Sequence, residues 1–175
     1  MKVTWKRLAV VLLTYLIAIA IISSTLGREI LAGKEPGLGS FSIIHFAGYL
    51  FFLVLPVEAL VPYYQAEGHA GVVLIIIAVV TAISAQVIDY GIGYAVSQRI
   101  SKDVIGQERY NRANRAVRRY GRWAILFFNL LPLSSPNVLL IAGIMRFGLT
   151  RAVSYSLLGL ILKYMAIVYA FRAVT

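Results

Sequence analysis

The sequence predicts an all-α polytopic membrane protein: three transmembrane helices plus two re-entrant helical hairpins in an inverted repeat, with a basic amphipathic cytoplasmic segment. Three observations carry this expectation. First, the 175 residues are 60% hydrophobic and 14% charged, with mean hydropathy +0.81, and residues 8–27, 36–57 and 69–88 hold no Asp, Glu, Lys or Arg. A soluble domain of this size cannot bury so much apolar surface. Second, two apolar stretches are broken in the middle by prolines and polar residues: Leu55-Pro56-Val57-Glu58-Ala59-Leu60-Val61-Pro62 and Phe128-Asn129-Leu130-Leu131-Pro132-Leu133-Ser134-Ser135-Pro136-Asn137. Interrupted hydrophobic segments in corresponding halves are the sequence mark of a transporter-like site at mid-depth. Third, the net charge of +10 is concentrated in residues 99–122, where Arg99, Lys102, Arg109, Arg112, Arg115, Arg118, Arg119 and Arg122 face only Asp103 and Glu108. In a soluble chain such a cluster would suggest nucleic acid. In one this apolar it reads as a cytoplasmic loop obeying the positive-inside rule, with Arg109, Arg112, Arg115, Arg118, Arg119 and Arg122 touching anionic headgroups, and no nucleic-acid partner is expected.

The elements follow in order. Lys2, Lys6 and Arg7 place the N-terminus in the cytoplasm. The first span covers 8–26, and its residues 8–25 reach about 27 Å as a helix, near the thickness of the hydrocarbon core. That run exceeds the apolar region of a cleavable signal, so it reads as a retained span. The next loop carries Arg28, Glu29, Lys34 and Glu35, has no net charge and suits the outer face. Residues 41–67 then form hairpin 1, dipping in from outside and turning around Pro56 to Pro62. The second span, 69–96, runs outside to inside and ends at the basic segment 99–122. Hairpin 2 covers 123–146; its arms, 123–131 and 137–145, are about 13 Å each as helix, half the core thickness. A full crossing here would put either Arg119 and Arg122 or Arg146 and Arg151 on the outer face, against the positive-inside bias. The last span covers 152–171. Hairpin plus span therefore occurs twice in opposite orientation within a single membrane domain, a repeat inferred from hydropathy and charge.

Two acids lie in apolar surroundings. Glu58 stands between Pro56 and Pro62, and Asp89 lies within the second span. A charge at a membrane helix centre costs at least ~2.5 to 3.5 kcal/mol, so both are candidate transport or proton sites. The bland alternatives are that Glu58 caps freed amides at a turn and that Asp89 sits near the interface. Helical spacing places Ala78, Ala82, Gln86, Asp89 and Gly93 within about 80° of arc, and Ala152, Ser156, Gly159, Lys163, Ala166 and Ala170 form a matching stripe. Small-residue stripes let membrane helices approach closely, so both charges face protein, and Asp89 with Lys163 is a candidate ion pair. At the hairpin tips Pro56, Pro62, Asn129, Pro132, Ser134, Ser135, Pro136 and Asn137 would line a wet or polar cavity, because irregular backbone at that depth needs one. Helix N-termini at such turns favour anions, a phosphate headgroup included. No cysteine is present, His45 and His69 are isolated, and no Gly-rich phosphate loop or Gly-x-Ser-x-Gly elbow occurs. No metal site, no cofactor and no enzymatic activity are therefore expected.

Taken together, Pro56-Val57-Glu58 with Pro62, Ile88-Asp89-Tyr90-Gly91-Ile92-Gly93-Tyr94, Tyr120-Gly121-Arg122, Leu131-Pro132 and Ala142-Gly143 resemble the DedA family, also called the VTT or SNARE-associated Golgi protein domain, over roughly residues 41–169. The resemblance implies two re-entrant hairpins in an inverted repeat, movement of lipids or lipid-linked phosphates such as undecaprenyl phosphate, and coupling to protons, with Glu58 and Asp89 at the family's membrane acids. This chain departs from the family's Arg-Phe-x-Pro-x-x-Arg pattern: the arginine positions hold Asn129 and Ser135, which removes charge pairing to a phosphate there. The expectation is thus a flippase- or scramblase-type carrier in a prokaryotic cell membrane, whose partners are anionic or phosphate-bearing lipids. A non-transporting, lipid-docking scaffold is the alternative, and a homo-oligomer is left open.

Overall fold

The structure, a computed structural model, describes residues 20, 24, 36–50, 57–99, 107–131 and 137–174. Apart from Ala20 and Ser24, the expected first span 8–26 lies outside the described residues, as do Pro56, Pro132, Ser134, Ser135, Pro136 and the side chains of Arg109, Arg112, Arg115, Arg118 and Asn137. Among the described residues every regular element is helical. The elements are α1 (Leu38–Leu50), a single 3-10 turn (Val57–Ala59), α2 (Leu60–Ala66), α3 (Gly71–Arg99), α4 (Gln107–Leu130), α5 (Asn137–Ile144) and α6 (Leu149–Val174). Among the described residues two helices are long and apolar enough to cross a membrane: α3 over Gly71–Ala95 and α6 over Leu149–Val174. Each exceeds the roughly 20 residues that a bilayer core requires.

Local chemistry sets the boundaries of the first half. Ser40 and Ser42 fold their hydroxyls back on the carbonyls of Gly37 and Leu38, each at 2.7 Å. Pro62 falls in the first turn of α2, where its missing N–H would have had no helical partner anyway. The link between α2 and α3 turns at Gly68, whose φ of 91° suits glycine. His69 Nε2 lies 2.7 Å from the Pro36 carbonyl and so ties the start of α1 to the start of α3. From there α1 runs alongside α3, bringing His45 to Thr81. The chain then doubles back and α2 returns to the same end, with Tyr64 beside Ser40.

The second half inserts from the other end. Helices α3 and α6 are antiparallel: Gly71 lies against Val168 and Arg172, and Ser156 bonds to Gln86. Along α6 runs α4, with Ile125 clustered with Ala152 and the Leu126 carbonyl and Asn129 seated on Gly159. Beside α3, in the same direction, runs α5: the Leu140 carbonyl rests on Gly93, and the turn after α5 reaches Ser97 and Tyr90. Both ends of the α4–α5 pair therefore lie at the C-terminal end of α3. Along α6, Ser156 and Gly159 stand about 10 and 15 Å from Leu149 and Lys163 about 21 Å, so the two helical pairs approach the centre from opposite ends.

The packing repeats between the halves. The first arm lies on the long helix that follows it, α1 on α3 and α4 on α6, and the second arm reaches the long helix of the other half, α2 on α6 and α5 on α3; α2 also touches α3. The interior holds a largely apolar core and several polar side chains besides, while large apolar side chains lie on the surface. On α3, Ile76 and Val80 are each 58% exposed while Gln86 and Asp89 are fully buried. Residues apolar on the outside and polar within are what a lipid solvent selects.

Several boundaries differ from expectation. The basic segment 99–122 and the first arm of the second hairpin are not separate elements, because α4 is one helix from Gln107 to Leu130. No proline interrupts it, and its Arg, Ala and Leu are good helix formers. The expected last span, 152–171, extends to Leu149–Val174, and the second span, 69–96, becomes Gly71–Arg99.

The α3–α5 contact is backbone on backbone. A Cβ at Gly93 would run into the Leu140 carbonyl, and one at Gly143 into the Tyr90 carbonyl, whereas Gly91 faces open space. Gly93→Ala is therefore expected to destabilise the detergent-solubilised protein by ~1–3 kcal/mol, as overpacking does. Gly91→Ala should be neutral or stabilising; thermal unfolding of the pair checks this.

Candidate functional site

Where the first hairpin meets α6, Glu58 and Lys163 form a buried salt bridge: Lys163 Nζ donates to Glu58 Oε1 at 2.9 Å, with side-chain exposures of 2% and 6% for Lys163 and Glu58. Glu58 is delivered by the 3-10 turn after Pro56, and Lys163 by the small-residue face of α6. The ammonium also donates to Tyr49 Oη at 2.7 Å and lies over the rings of Tyr49 and Tyr164 at 5.4 and 5.2 Å. From Tyr49 the network continues to Tyr164 Oη at 3.0 Å, to His45 Nε2 at 2.7 Å, and from His45 Nδ1 to Thr81 Oγ1 at 2.8 Å. Thr81 donates to the Ile77 carbonyl at 2.7 Å. One polarity runs from Lys163 to Tyr49, Tyr49 to Tyr164, Tyr164 to His45 Nε2, and His45 Nδ1–H to Thr81; in the alternative the single Tyr49 proton goes to Glu58 Oε1 at 3.4 Å. Six side chains from α1, the 3-10 turn, α3 and α6 thus form one connected polar cluster, in which Glu58 Oε2 has no partner among the described residues.

The expected pairing of Asp89 with Lys163 is overturned. The antiparallel register fixed by Gln86 and Ser156 puts Asp89 near the level of Ala152, and Lys163 is roughly 16 Å further along α6. Lys163 goes to Glu58 because the first hairpin brings that carboxylate to its level.

A second cluster lies nearer the α4–α5 turn. Gln86 Nε2 donates to Asn129 Oδ1 at 2.6 Å, Ser156 Oγ donates to Gln86 Oε1, and Asn129 Nδ2 donates to the Ile125 carbonyl at 2.8 Å. All three residues are at most 1% exposed. Both ends of the Gln86 amide are thereby used. Asp89, one turn along α3, is also fully buried, yet neither carboxylate oxygen has a hydrogen-bond partner among the described residues. Leaving an ionised carboxylate so placed would cost several kcal/mol.

The sequence-predicted residues therefore divide between the two clusters: Glu58 enters the first, Asn129 the second, and Asp89 lies beside the second. Pro62 is a helix-start residue and does not join either. Arg119 and Arg122 are exposed on α4 and stack on Tyr120 and Trp123 at 5.3 and 5.9 Å. Missed from sequence were Tyr49, Tyr164, Thr81 and the role of His45, which is no isolated residue. The i, i+4 series Phe41, His45, Tyr49 was the available signal, since it marks one face of α1.

Removing one member of a buried ion pair strands the other. Lys163→Met is expected to destabilise by ~3–5 kcal/mol, and adding Glu58→Gln to it should recover much of that loss; thermal unfolding of the two single variants and the double variant measures the coupling. This architecture has a counterpart among known domains. A family model for the VTT domain matches residues 38–173, most of the chain and all of α1 to α5. Comparison with curated proteins and with solved structures returned no match. The chain belongs to the VTT domain family, the domain of the membrane-associated DedA proteins.

Proposed function

We propose that the protein is a carrier, not an enzyme, that moves a lipid or lipid-linked phosphate across a prokaryotic cell membrane, with α1–α2 and α4–α5 as re-entrant hairpins entering from opposite faces. The N-terminus and the basic start of α4 face the cytoplasm in this reading. The observation that carries it is Asp89: a fully buried carboxylate with no hydrogen-bond partner among the described residues, beside the polar cluster that joins the second hairpin to both long helices. Intramembrane acids of this kind mark ion and proton pathways. Asp89 takes the coupling proton, and the Glu58–Lys163 pair is the latch that holds the first hairpin on the long helix of the opposite half. The repeated exchange of second arms between halves suits alternating access, in which one repeat rocks against the other. With Asn129 hydrogen-bonded to Gln86 at a position where the family carries arginine, the headgroup phosphate is not held by charge at that point.

A second reading keeps the membrane placement without transport. The exposed, aromatic-stacked Arg119 and Arg122 suit a lipid-docking scaffold.

Reconstituted vesicles decide between them through the rate at which a fluorescent phospholipid crosses the bilayer. Asp89→Asn is expected to slow crossing by about tenfold or more and Glu58→Gln by less, in line with loss of a proton-coupling group. Equal rates in both variants and wild type remove the acids from the mechanism, and no crossing in any of them leaves the scaffold. Topology is checked separately: the chain has no cysteine, so single cysteines at Arg119 and Arg146 should both react with an impermeant thiol reagent from the same face. Reaction from opposite faces makes α4–α5 a full crossing and removes the carrier reading.

A further inference from the structure

The turn that closes α5 has an unusual occupant. The Phe147 N–H bonds to the Ala142 carbonyl at 2.9 Å and the Arg146 N–H to the Gly143 carbonyl at 3.0 Å. That pair of bonds is a Schellman C-cap, and it puts its penultimate residue in the left-handed region. Glycine is the usual choice there because a Cβ is penalised. Here the position holds Arg146, at φ 53°, the one non-glycine residue with positive φ among those described. A residue in this conformation persists only where the structure around it over-determines it.

The side chain is held in place. Its guanidinium lies over the Tyr94 ring at 5.4 Å, and Nε donates to Ser97 Oγ at 3.3 Å. Arg146 is nonetheless exposed and makes no ion pair with a described residue. With Nε engaged by Ser97 and the plane set against Tyr94, the terminal nitrogens make no hydrogen bond to a described residue.

The neighbourhood fits an acidic headgroup. The register of α4 on α6 puts Arg119 and Arg122 level with this turn, and Arg151 lies one helical turn along. Exposed Tyr94, Tyr120 and Trp123 surround them, amphipathic rings of the type that settle at the headgroup level of a bilayer. The described acidic side chains are Glu58, Glu67 and Asp89; the first and last are buried, and Glu67 belongs to the opposite end.

We infer that Arg146, clamped by Tyr94 and Ser97 at the end of α5, is a binding site for the phosphate of an anionic glycerophospholipid in the leaflet at that end. A planar guanidinium fork matches a phosphate bidentately, which a lysine does not. The site is separate from the buried clusters and rests on the membrane placement proposed above, not on transport.

The test uses the full chain purified in detergent, with phosphatidylglycerol or phosphatidylcholine added back, and reads the lipid retained by native mass spectrometry together with thermal stability. Wild type should retain phosphatidylglycerol preferentially. Arg146→Gln and Arg146→Gly should each weaken that preference by about threefold or more, and Arg146→Lys by less, as expected for loss of a bidentate charge-assisted contact. Arg146→Gly should at the same time raise the melting temperature without lipid, since it relieves the left-handed strain; a purely structural role for Arg146 would lower it. Unchanged phosphatidylglycerol retention in the Gln and Gly variants overturns the site. An equal loss from Arg151→Gln also overturns it, because the attraction would then be diffuse. Stabilisation by inorganic phosphate equal to that by phosphatidylglycerol overturns the lipid assignment. Retention is measured without any crossing of lipid, so its outcome stands apart from that of the vesicle assay.

Discussion

The salt bridge between Glu58 and Lys163 is the constraint around which the rest of the molecule is arranged. In an apolar interior neither charge is tolerable alone, and their attraction there is worth having only with further hydrogen bonds, which reach the ammonium and not Glu58 Oε2 among the described residues. Tyr49 takes a second ammonium proton, Tyr164 and His45 extend the network, and Thr81 closes it on α3. Each of these residues is fixed in depth by its helix, so the ion pair fixes the depth of the 3-10 turn, the pitch of α1 and the level at which α2 sets out. The apolar packing of Phe41, Val61, Tyr64 and Leu74 then fills the space the polar cluster defines. Hydrophobic burial is a weak guide to position in lipid, because lipid tails are as apolar as leucine. Polar pairing supplies what the hydrophobic effect does not.

The two halves solve the same problem with different chemistry. The first holds its hairpin by charge. The second uses the neutral Gln86–Asn129–Ser156 cluster and the direct seating of α5 on α3 through Gly93 and Gly143. Backbone-on-backbone contact tolerates little sliding, since even a single added carbon would collide. The α2 side is different in kind: seven residues long, touching both α3 and α6, and anchored at its start by one ion pair. In the proposed carrier cycle, α4–α5 with α3 is therefore the stiffer unit, and the first hairpin is the part whose attachment has a discrete on and off state.

Much of this was legible in the sequence, and the reasons differ from element to element. The long helices were readable because an uninterrupted apolar run of more than twenty residues has few alternatives. The interrupted stretches were readable because prolines and polar residues in such runs need a structural excuse. Glu58 and Asp89 stood out for the same reason. What was not legible was partnership. Asp89 and Lys163 lie on matching small-residue stripes, and stripes alone say which faces meet but not at what level. The level follows from the Gln86–Ser156 contact, which is long range and leaves no periodic trace in the chain. His45 looked solitary because its partners, Thr81 and Tyr164, are far away in sequence. The junction of the basic segment with α4 was drawn too sharply because composition changes at residue 123 while helix propensity does not.

Asp89 shows what the fold does not spend effort on satisfying. The same interior finds a lysine for Glu58 and uses both ends of the Gln86 amide, so it is capable of pairing polar groups at this depth. One turn from Gln86 it leaves a carboxylate with neither oxygen bonded among the described residues. An asparagine would fill nearly the same volume with no charge to neutralise, and a small apolar residue would continue the stripe of Ala78, Ala82 and Ala85. Packing therefore gives no reason for an acid at this place. What distinguishes aspartate from either is its capacity to gain and lose a proton, and that capacity is what the proposed carrier cycle draws on.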